Sequence, residues 1–257
     1  MAVRVSLTGT LIFLLLAHSA SAAWSVSSSE TEKSSAAGAE HRHILLAETA
    51  NSDEATLDLA LFSTKSAIVR VTDNPTGNED LASMMRRRRG VAGVNGGYFD
   101  PQNAPVGLLI SDGKLIAPFR KARLLSGVLV TTKGRLELLR AAEYSSRKTA
   151  TAALQCGPFL VDGSAAVSGL NNTRPARRTF VLTTGSDRAA IGFCSPVTLA
   201  QLGEILATVR LTPELKVQRA LNLDGGSSSA FWFAGERGVF SIPEQKTVRD
   251  FVAIVPK

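Results

Sequence analysis

Apolar and polar residues alternate through much of this chain with the two-residue period of strands that bury one face. Leu57, Leu59 and Leu61 follow that pattern, and Ala67-Ile68-Val69-Arg70-Val71 adds β-branched side chains. Hairpin signals recur, with short turn pairs between apolar runs. Asp112-Gly113 separates Leu108-Leu109-Ile110 from Leu115-Ile116, and Lys133-Gly134 separates Val128-Leu129-Val130 from Leu136-Glu137-Leu138. Asp162-Gly163 follows Phe159-Leu160-Val161, and Gly185-Ser186-Asp187 divides Phe180-Val181-Leu182 from Ala189-Ala190-Ile191. One helix is expected from about Leu199 to Val209. Thr198 and Gln201 are spaced as a capping box, and Leu199, Leu202, Ile205 and Leu206 form an apolar stripe. A second start lies at Asn78-Glu79-Asp80, with Gly90 as its stop. The pattern predicts an α+β fold: a single domain with a large, mainly antiparallel β-sheet and few helices.

The N-terminus reads differently. Arg4 precedes the apolar run Leu11-Ile12-Phe13-Leu14-Leu15-Leu16-Ala17, and Ser19-Ala20-Ser21-Ala22 has the small residues of a cleavage site. The run is shorter than the ~20 apolar residues a membrane anchor needs. Residues 1–22 are therefore expected to be a signal peptide. Residues 23–40, rich in Ser, Ala, Glu and Gly, are expected to be a flexible leader, and residues 41–257 the folded domain. The expected product is exported, periplasmic or secreted, with no stable membrane insertion after cleavage.

Composition removes several chemistries. There are three histidines, one of them inside the signal, so a Ser-His-Asp arrangement or an H-E-x-x-H zinc site has little to build with. Two cysteines, Cys156 and Cys194, are too few for structural zinc; a disulfide and two buried thiols both fit them. No metal and no cofactor is expected. The net charge of +7 is concentrated in Arg86-Arg87-Arg88-Arg89 and in Arg174, Arg177 and Arg178. Export argues against nucleic acid and for anionic glycans, lipid head groups or phosphorylated sugars. The four-arginine run also suits the last turn of a helix, where cations complement the dipole.

Two glycine-rich segments follow strand-like runs: Val94-Asn95-Gly96-Gly97-Tyr98-Phe99-Asp100 and Leu223-Asp224-Gly225-Gly226-Ser227-Ser228. Glycines at a strand end let the backbone turn or approach a ligand, and consecutive N–H groups there can cradle an anion. Apolar residues on both sides of the second segment mark a polar cleft floored by the core. A third strand is interrupted in Gln155-Cys156-Gly157-Pro158, and a fourth segment brings Arg174, Arg177 and Arg178 to the start of a strand.

These segments resemble, in order and spacing, the phosphodiester glycosidase family. The resemblance is carried by Asn95-Gly96-Gly97-Tyr98-Phe99, Gln155-Cys156-Gly157-Pro158, Arg178-Thr179, Pro196-Val197-Thr198 and Leu223-Asp224-Gly225-Gly226-Ser227-Ser228. It implies cleavage of a sugar from a sugar-1-phosphodiester. A glycosidase normally uses two carboxylates; a phosphomonoester leaving group, with a second pKa of about 6, needs little protonation. On that reading Asp224 is the nucleophile or general base, and Asp100 a second carboxylate or sugar-hydroxyl acceptor. Arg178, with Arg174, would clamp the phosphate. Gly96, Gly97, Gly157, Gly225 and Gly226 would line the site, and Asn95 and Ser227 would donate to phosphate or sugar.

Plainer roles stand beside these. Asp100 before Pro101 equally suits a turn, Arg174 and Arg177 suit solvent, and Tyr98 and Phe99 suit either core or sugar stacking. Asp112 and Asp162 read as hairpin residues. The expected function is an exported hydrolase of a glycosyl-1-phosphodiester in an envelope glycan or glycolipid. The alternative is a non-catalytic envelope protein that binds an anionic glycan in the same cleft. Oligomeric state is not legible.

Overall fold

A computed structural model of the chain describes residues 24–146 and 149–257. The expected signal peptide lies outside them. Four strands open the fold: β1 (Trp24–Lys33), β2 (Glu40–Glu48), β3 (Glu54–Ser63) and β4 (Ala67–Asp73). Helix α1 (Leu81–Arg88) leads to β5 (Ala92–Asn95), then to the hairpins β6 (Leu109–Ser111) with β7 (Lys114–Ala117) and β8 (Gly127–Thr132) with β9 (Arg135–Arg140). Next come β10 (Ala152–Cys156), β11 (Phe159–Asp162), β12 (Ala165–Ala166), and the long hairpin β13 (Ala176–Thr184) and β14 (Arg188–Val197). Helix α2 (Leu199–Thr208) precedes β15 (Val217–Asn222), β16 (Phe231–Gly235), β17 (Gly238–Ile242) and β18 (Asp250–Pro256).

These strands form three antiparallel sheets rather than one: β1-β2-β3-β14-β13-β15-β11-β12, β7-β6-β10-β8-β9, and β17-β16-β5-β18-β4. Their inner faces share one apolar cluster that takes Phe62, Val94, Leu154, Phe159, Leu221, Phe231 and Ile254 from all three. The common core makes the chain a single domain. Strand alternation supplies a second face to each sheet. Leu57, Leu59 and Leu61 point outward from the eight-stranded sheet into a second apolar cluster that also takes Leu202, Ile205 and Leu206 of α2, so the predicted stripe is the buried one. Each such side chain contributes about 1.5–3 kcal/mol. Helix α1 covers the outer face of β16-β5-β18 through Leu81, Met84 and Met85.

Local chemistry sets the element ends. Thr198 and Gln201 close the capping box of α2, and Asp80 caps α1 by accepting from the Ser83 N–H. The stop of α1 falls one residue earlier than the glycine suggests, since Arg89 adopts the left-handed conformation (φ 51°) and donates to the Met85 and Arg86 carbonyls. Asp112-Gly113 and Lys133-Gly134 have positive φ at both positions, as two-residue hairpin turns require.

The leader is the clear departure. From Trp24 onward it is not a flexible tail but an edge strand, paired with β2 from Trp24↔Glu48 to Lys33↔Glu40. Its polar composition misleads because an edge strand needs only a backbone ladder and a few anchors. Trp24 enters the α2-side core, and Glu32 accepts from the Arg237 N–H at the β16–β17 turn. The two cysteines are free, one in β10 and one in β14, and both buried. Burial raises both thiol pKa values, that of Cys194 to about 12.

Candidate active site

The ends of β5, β10 and β15 meet the starts of β13 and β18, and the sequence motifs lie at these ends. Asn95 ends β5 fully buried. Its amide donates to the Asp224 carbonyl (2.8 Å), and its Oδ1 accepts from Thr179 Oγ1 (2.7 Å) and the Ala230 N–H (3.1 Å). One side chain thus ties three segments together, which makes Asn95 a positioning residue and corrects its expected role as a donor to substrate.

Gly96 and Gly97 are also turned inward. The Gly96 N–H donates to the Asp250 carbonyl (2.8 Å), its own carbonyl accepts from the Asp224 N–H (2.9 Å), and the Gly97 N–H donates to Asp250 Oδ1 (2.8 Å). Both N–H groups have protein acceptors, so the expected anion cradle does not form here. A Cβ on Gly96 would stand 1.8 Å from Asp250 Oδ1, which is why only glycine fits.

The second glycine turn is open. Asp224 is half-buried, and one of its oxygens accepts from the Gly225 N–H (3.0 Å). Burial raises its pKa, opposed by Ser228, by Lys246 and by the Gly225 N–H. No arginine or lysine pairs with it among the described residues. Gly226 has φ +65° and starts a short 3-10 turn, Gly226–Ser228, so the Gly226 and Ser227 N–H groups carry no intraturn bond.

Arg178 stands beside this turn. A Cβ on Gly225 would lie 3.8 Å from its Nη1. Nε donates to the Val197 carbonyl (2.9 Å) and Nη2 to the Arg174 carbonyl (2.6 Å), fixing the guanidinium while leaving it no carboxylate partner among the described residues. Burial lowers its pKa, but it stays charged in any ordinary buffer. Arg174 supplies that carbonyl and sends its side chain to solvent. Arg177 has a framework role: it donates to the Ser229 and Pro243 carbonyls and lies 5.1 Å over the Phe193 ring.

Tyr98 and Gly157 form the opposite wall. The Tyr98 hydroxyl donates to the Gly157 carbonyl, which also accepts from Asn222 Nδ2 (3.0 Å). Burial raises the Tyr98 pKa well above normal; the Asp224 charge adds to this and the Arg178 charge opposes it. Asn222 Oδ1, Ser229 Oγ and Asp250 Oδ2 are buried without a hydrogen-bond partner. Unpaired buried atoms also occur away from this region, Trp24 Nε1 and Thr212 Oγ1 among them, so these three do not by themselves mark a site.

Asp100 is not part of this group. Its Oδ1 accepts from the Gln102 (3.0 Å) and Ala104 (2.8 Å) N–H groups and closes its own turn, the plainer of its two expected roles. The second carboxylate near Asp224 is Asp250, at the start of β18, which the sequence motifs miss. It is fully buried, and burial pushes its pKa up to about 7, with Asp73 and Asp224 adding to the rise and the Gly97 N–H and Arg249 opposing it. Lys246 is missed as well. It lies 4.9 Å over the Phe99 ring on a loop whose Gln245 N–H donates to the Ser227 carbonyl (2.7 Å). Neither residue carries a motif; only the fold places them here.

A half-buried carboxylate and an anchored guanidinium with no carboxylate partner among the described residues thus both stand at Gly225, on a three-sheet scaffold. A family model described as phosphodiester glycosidase matches residues 88–255. The chain belongs to that family of glycoside-cleaving hydrolases. No curated protein matches it by sequence. Among solved structures it is similar to the catalytic domain of zebrafish N-acetylglucosamine-1-phosphodiester alpha-N-acetylglucosaminidase, auto-inhibited by its pro-peptide. The TM-score is 0.58 at 16% identity, over 93% of this chain and 86% of that one. A hypothetical protein from Synechocystis gives 0.59 at 13% identity, over 92% and 68%. A Burkholderia pseudomallei protein described as exported gives 0.50 at 13%, over 80% and 75%. At these identities the likeness is one of fold.

Proposed function

We propose that this chain is an exported hydrolase that cleaves the sugar–phosphate glycosidic bond of a glycosyl-1-phosphodiester. The observation that carries the reading is the placement at one glycine turn of Asp224, half-buried and in no ion pair among the described residues, and Arg178, anchored by two carbonyls and without a carboxylate partner among them. Family membership and the zebrafish relative, which acts on an N-acetylglucosamine-1-phosphodiester, support the substrate class. Export is supported by the description of the Burkholderia relative. No helix among the described residues is long and apolar enough to cross a membrane.

The bound phosphodiester would set its non-bridging oxygens on Arg178, with the Gly226 and Ser227 N–H groups as further donors. Asp224 would take a proton from water as the water attacks the anomeric carbon, and the C1–O bond breaks with its electron pair leaving on the phosphate. The phosphomonoester that departs is a weak enough base to leave without a dedicated acid, so one carboxylate suffices. A raised pKa makes Asp224 a better base than an exposed aspartate. Asn95 and Asp250 hold the two glycine turns in register beneath it.

The test is release of free sugar from aryl glycosyl-1-phosphodiesters by residues 24–257, alongside Asp224→Asn. Turnover that vanishes in the variant supports the proposal. A folded wild-type protein that binds these compounds and turns over none would instead be a glycan-binding protein.

A further inference from the structure

Beside the Gly157 wall lies a loop, residues 118–126, that the proposed reaction does not use. It carries Arg120, Lys121 and Arg123, all exposed. None of their side chains has a hydrogen-bond or ion-pair partner among the described residues, and the chain has no Asp or Glu between Gly113 and Arg135. Several arginines elsewhere are compensated: Arg87 pairs with Glu79, Arg88 with Asp112, Arg140 with Asp162 and Arg219 with Glu143.

The loop backbone is fixed despite this exposure. Buried Gln155 accepts from the Leu108 (3.1 Å) and Arg120 (3.0 Å) N–H groups, and its amide donates to the Arg120 (2.7 Å) and Leu125 (3.2 Å) carbonyls. Ser126 Oγ accepts from the Phe159 N–H (3.0 Å), and Phe119 stacks on Tyr144. The loop is also close to the site. A Cβ on Gly157 would be 2.3 Å from the Leu124 carbonyl oxygen, and the Gly157 carbonyl is the acceptor for Tyr98 and Asn222.

We infer that this loop is a second anion-binding subsite, and that the substrate is a chain carrying repeated negative charge, such as successive glycosyl phosphates, rather than a molecule with a single phosphodiester. The inference rests on the proposed function for the first phosphate, at Arg178; the loop takes the next. Three like charges held on a fixed backbone repel one another, and a polyanion crossing them relieves that repulsion while being steered to the cleft. The exposed Leu124 at the loop tip suggests another partner, an anionic lipid surface, and the test separates the two.

Binding of short-chain inorganic polyphosphate and of orthophosphate would be measured for the wild type, for Arg120→Ser/Lys121→Ser/Arg123→Ser, and for Asp224→Asn. Wild type and Asp224→Asn are expected to bind polyphosphate alike. The triple variant is expected to bind it about tenfold more weakly at low salt, with the gap closing as salt screens it. It should keep its kcat/KM on an aryl substrate with one phosphodiester and lose efficiency on an oligomer of glycosyl phosphates. Polyphosphate binding unchanged in the triple variant overturns the inference. So does binding to phosphatidylglycerol vesicles that needs Leu124, with none to polyphosphate. If no glycosyl phosphodiester is hydrolysed while the polyphosphate difference holds, the catalytic reading falls and the polyanion subsite stands.

Discussion

The two glycine turns, Asn95-Gly96-Gly97 and Asp224-Gly225-Gly226, look alike in sequence, and the fold gives them opposite tasks. The first is buried, and its polar groups are bonded to Asp224, Asp250, Thr179 and Ala230. The second leaves a carboxylate half-open near an anchored guanidinium that has no carboxylate partner among the described residues. One turn is the frame and the other the working edge. Their coupling through the Asp224 N–H and carbonyl, both bonded to the first turn, means that damage to the frame should move the chemistry. Damage to the edge should leave the frame intact.

The largest expected effect breaks the edge. Asp224→Asn should lower kcat by at least about a thousandfold, worth about 4 kcal/mol, with an unfolding midpoint equal to or above the wild type, since it removes a carboxylate that burial disfavours. The wild-type rate should fall as pH drops through the raised pKa of Asp224, because the base must be ionised. A rate loss accompanied by a lower midpoint would show that Asp224 belongs to the frame.

The next effect breaks the frame. Gly96→Ala would drive a methyl to 1.8 Å from Asp250 Oδ1 and should cost about 3 kcal/mol, read by denaturant unfolding. Gly226→Ala meets nothing within 4 Å and is opposed only by its φ of +65°, so about 1 kcal/mol is expected. Equal costs at the two positions would erase the distinction between the turns.

Arg178→Gln sharpens the account of the edge. Loss of a charged bidentate donor to phosphate is worth roughly 2–3 kcal/mol, expected as a KM raised by about thirtyfold to a hundredfold. Arg178→Lys should recover only part of this, because an ammonium cannot reproduce the fork. A loss confined to kcat would place Arg178 on the transition state alone.

Much of this architecture is legible in the amino-acid sequence. Turn pairs such as Lys133-Gly134 have local conformational demands, and the α2 stripe has a period, so both can be read without tertiary information. Asp224 and Arg178 stand out because polar residues at the end of a buried run need a reason. Asp250 does not, since Val248-Arg249-Asp250-Phe251 reads as an ordinary charged step before a strand; its burial arises from packing under Gly96, far away in the chain. Asp100 misleads because an acceptor for its own turn and an acceptor for substrate have the same local sequence. The β1 strand is hidden because its stability lies in its partner's backbone and in Trp24, not in its Ser- and Glu-rich face.

The smallest effect tests the frame's own carboxylate. Asp250 has a pKa raised to about 7 in the fold, against an ordinary value of 3.8. Between those values the folded chain holds a proton that the unfolded chain has released, so this group's contribution to stability falls as pH rises and levels off above about 7. Asp250→Asn removes the titration and keeps an oxygen for the Gly97 N–H. Relative to the wild type, the variant should gain about 2 kcal/mol between about pH 5 and about pH 6.5, at about 1.4 kcal/mol per unit. Denaturant unfolding at the two pH values reads this directly. Parallel pH dependences would mean that Asp250 is ionised throughout, held by Arg249 and the Gly97 N–H, and that the first turn is built around a charge rather than a proton.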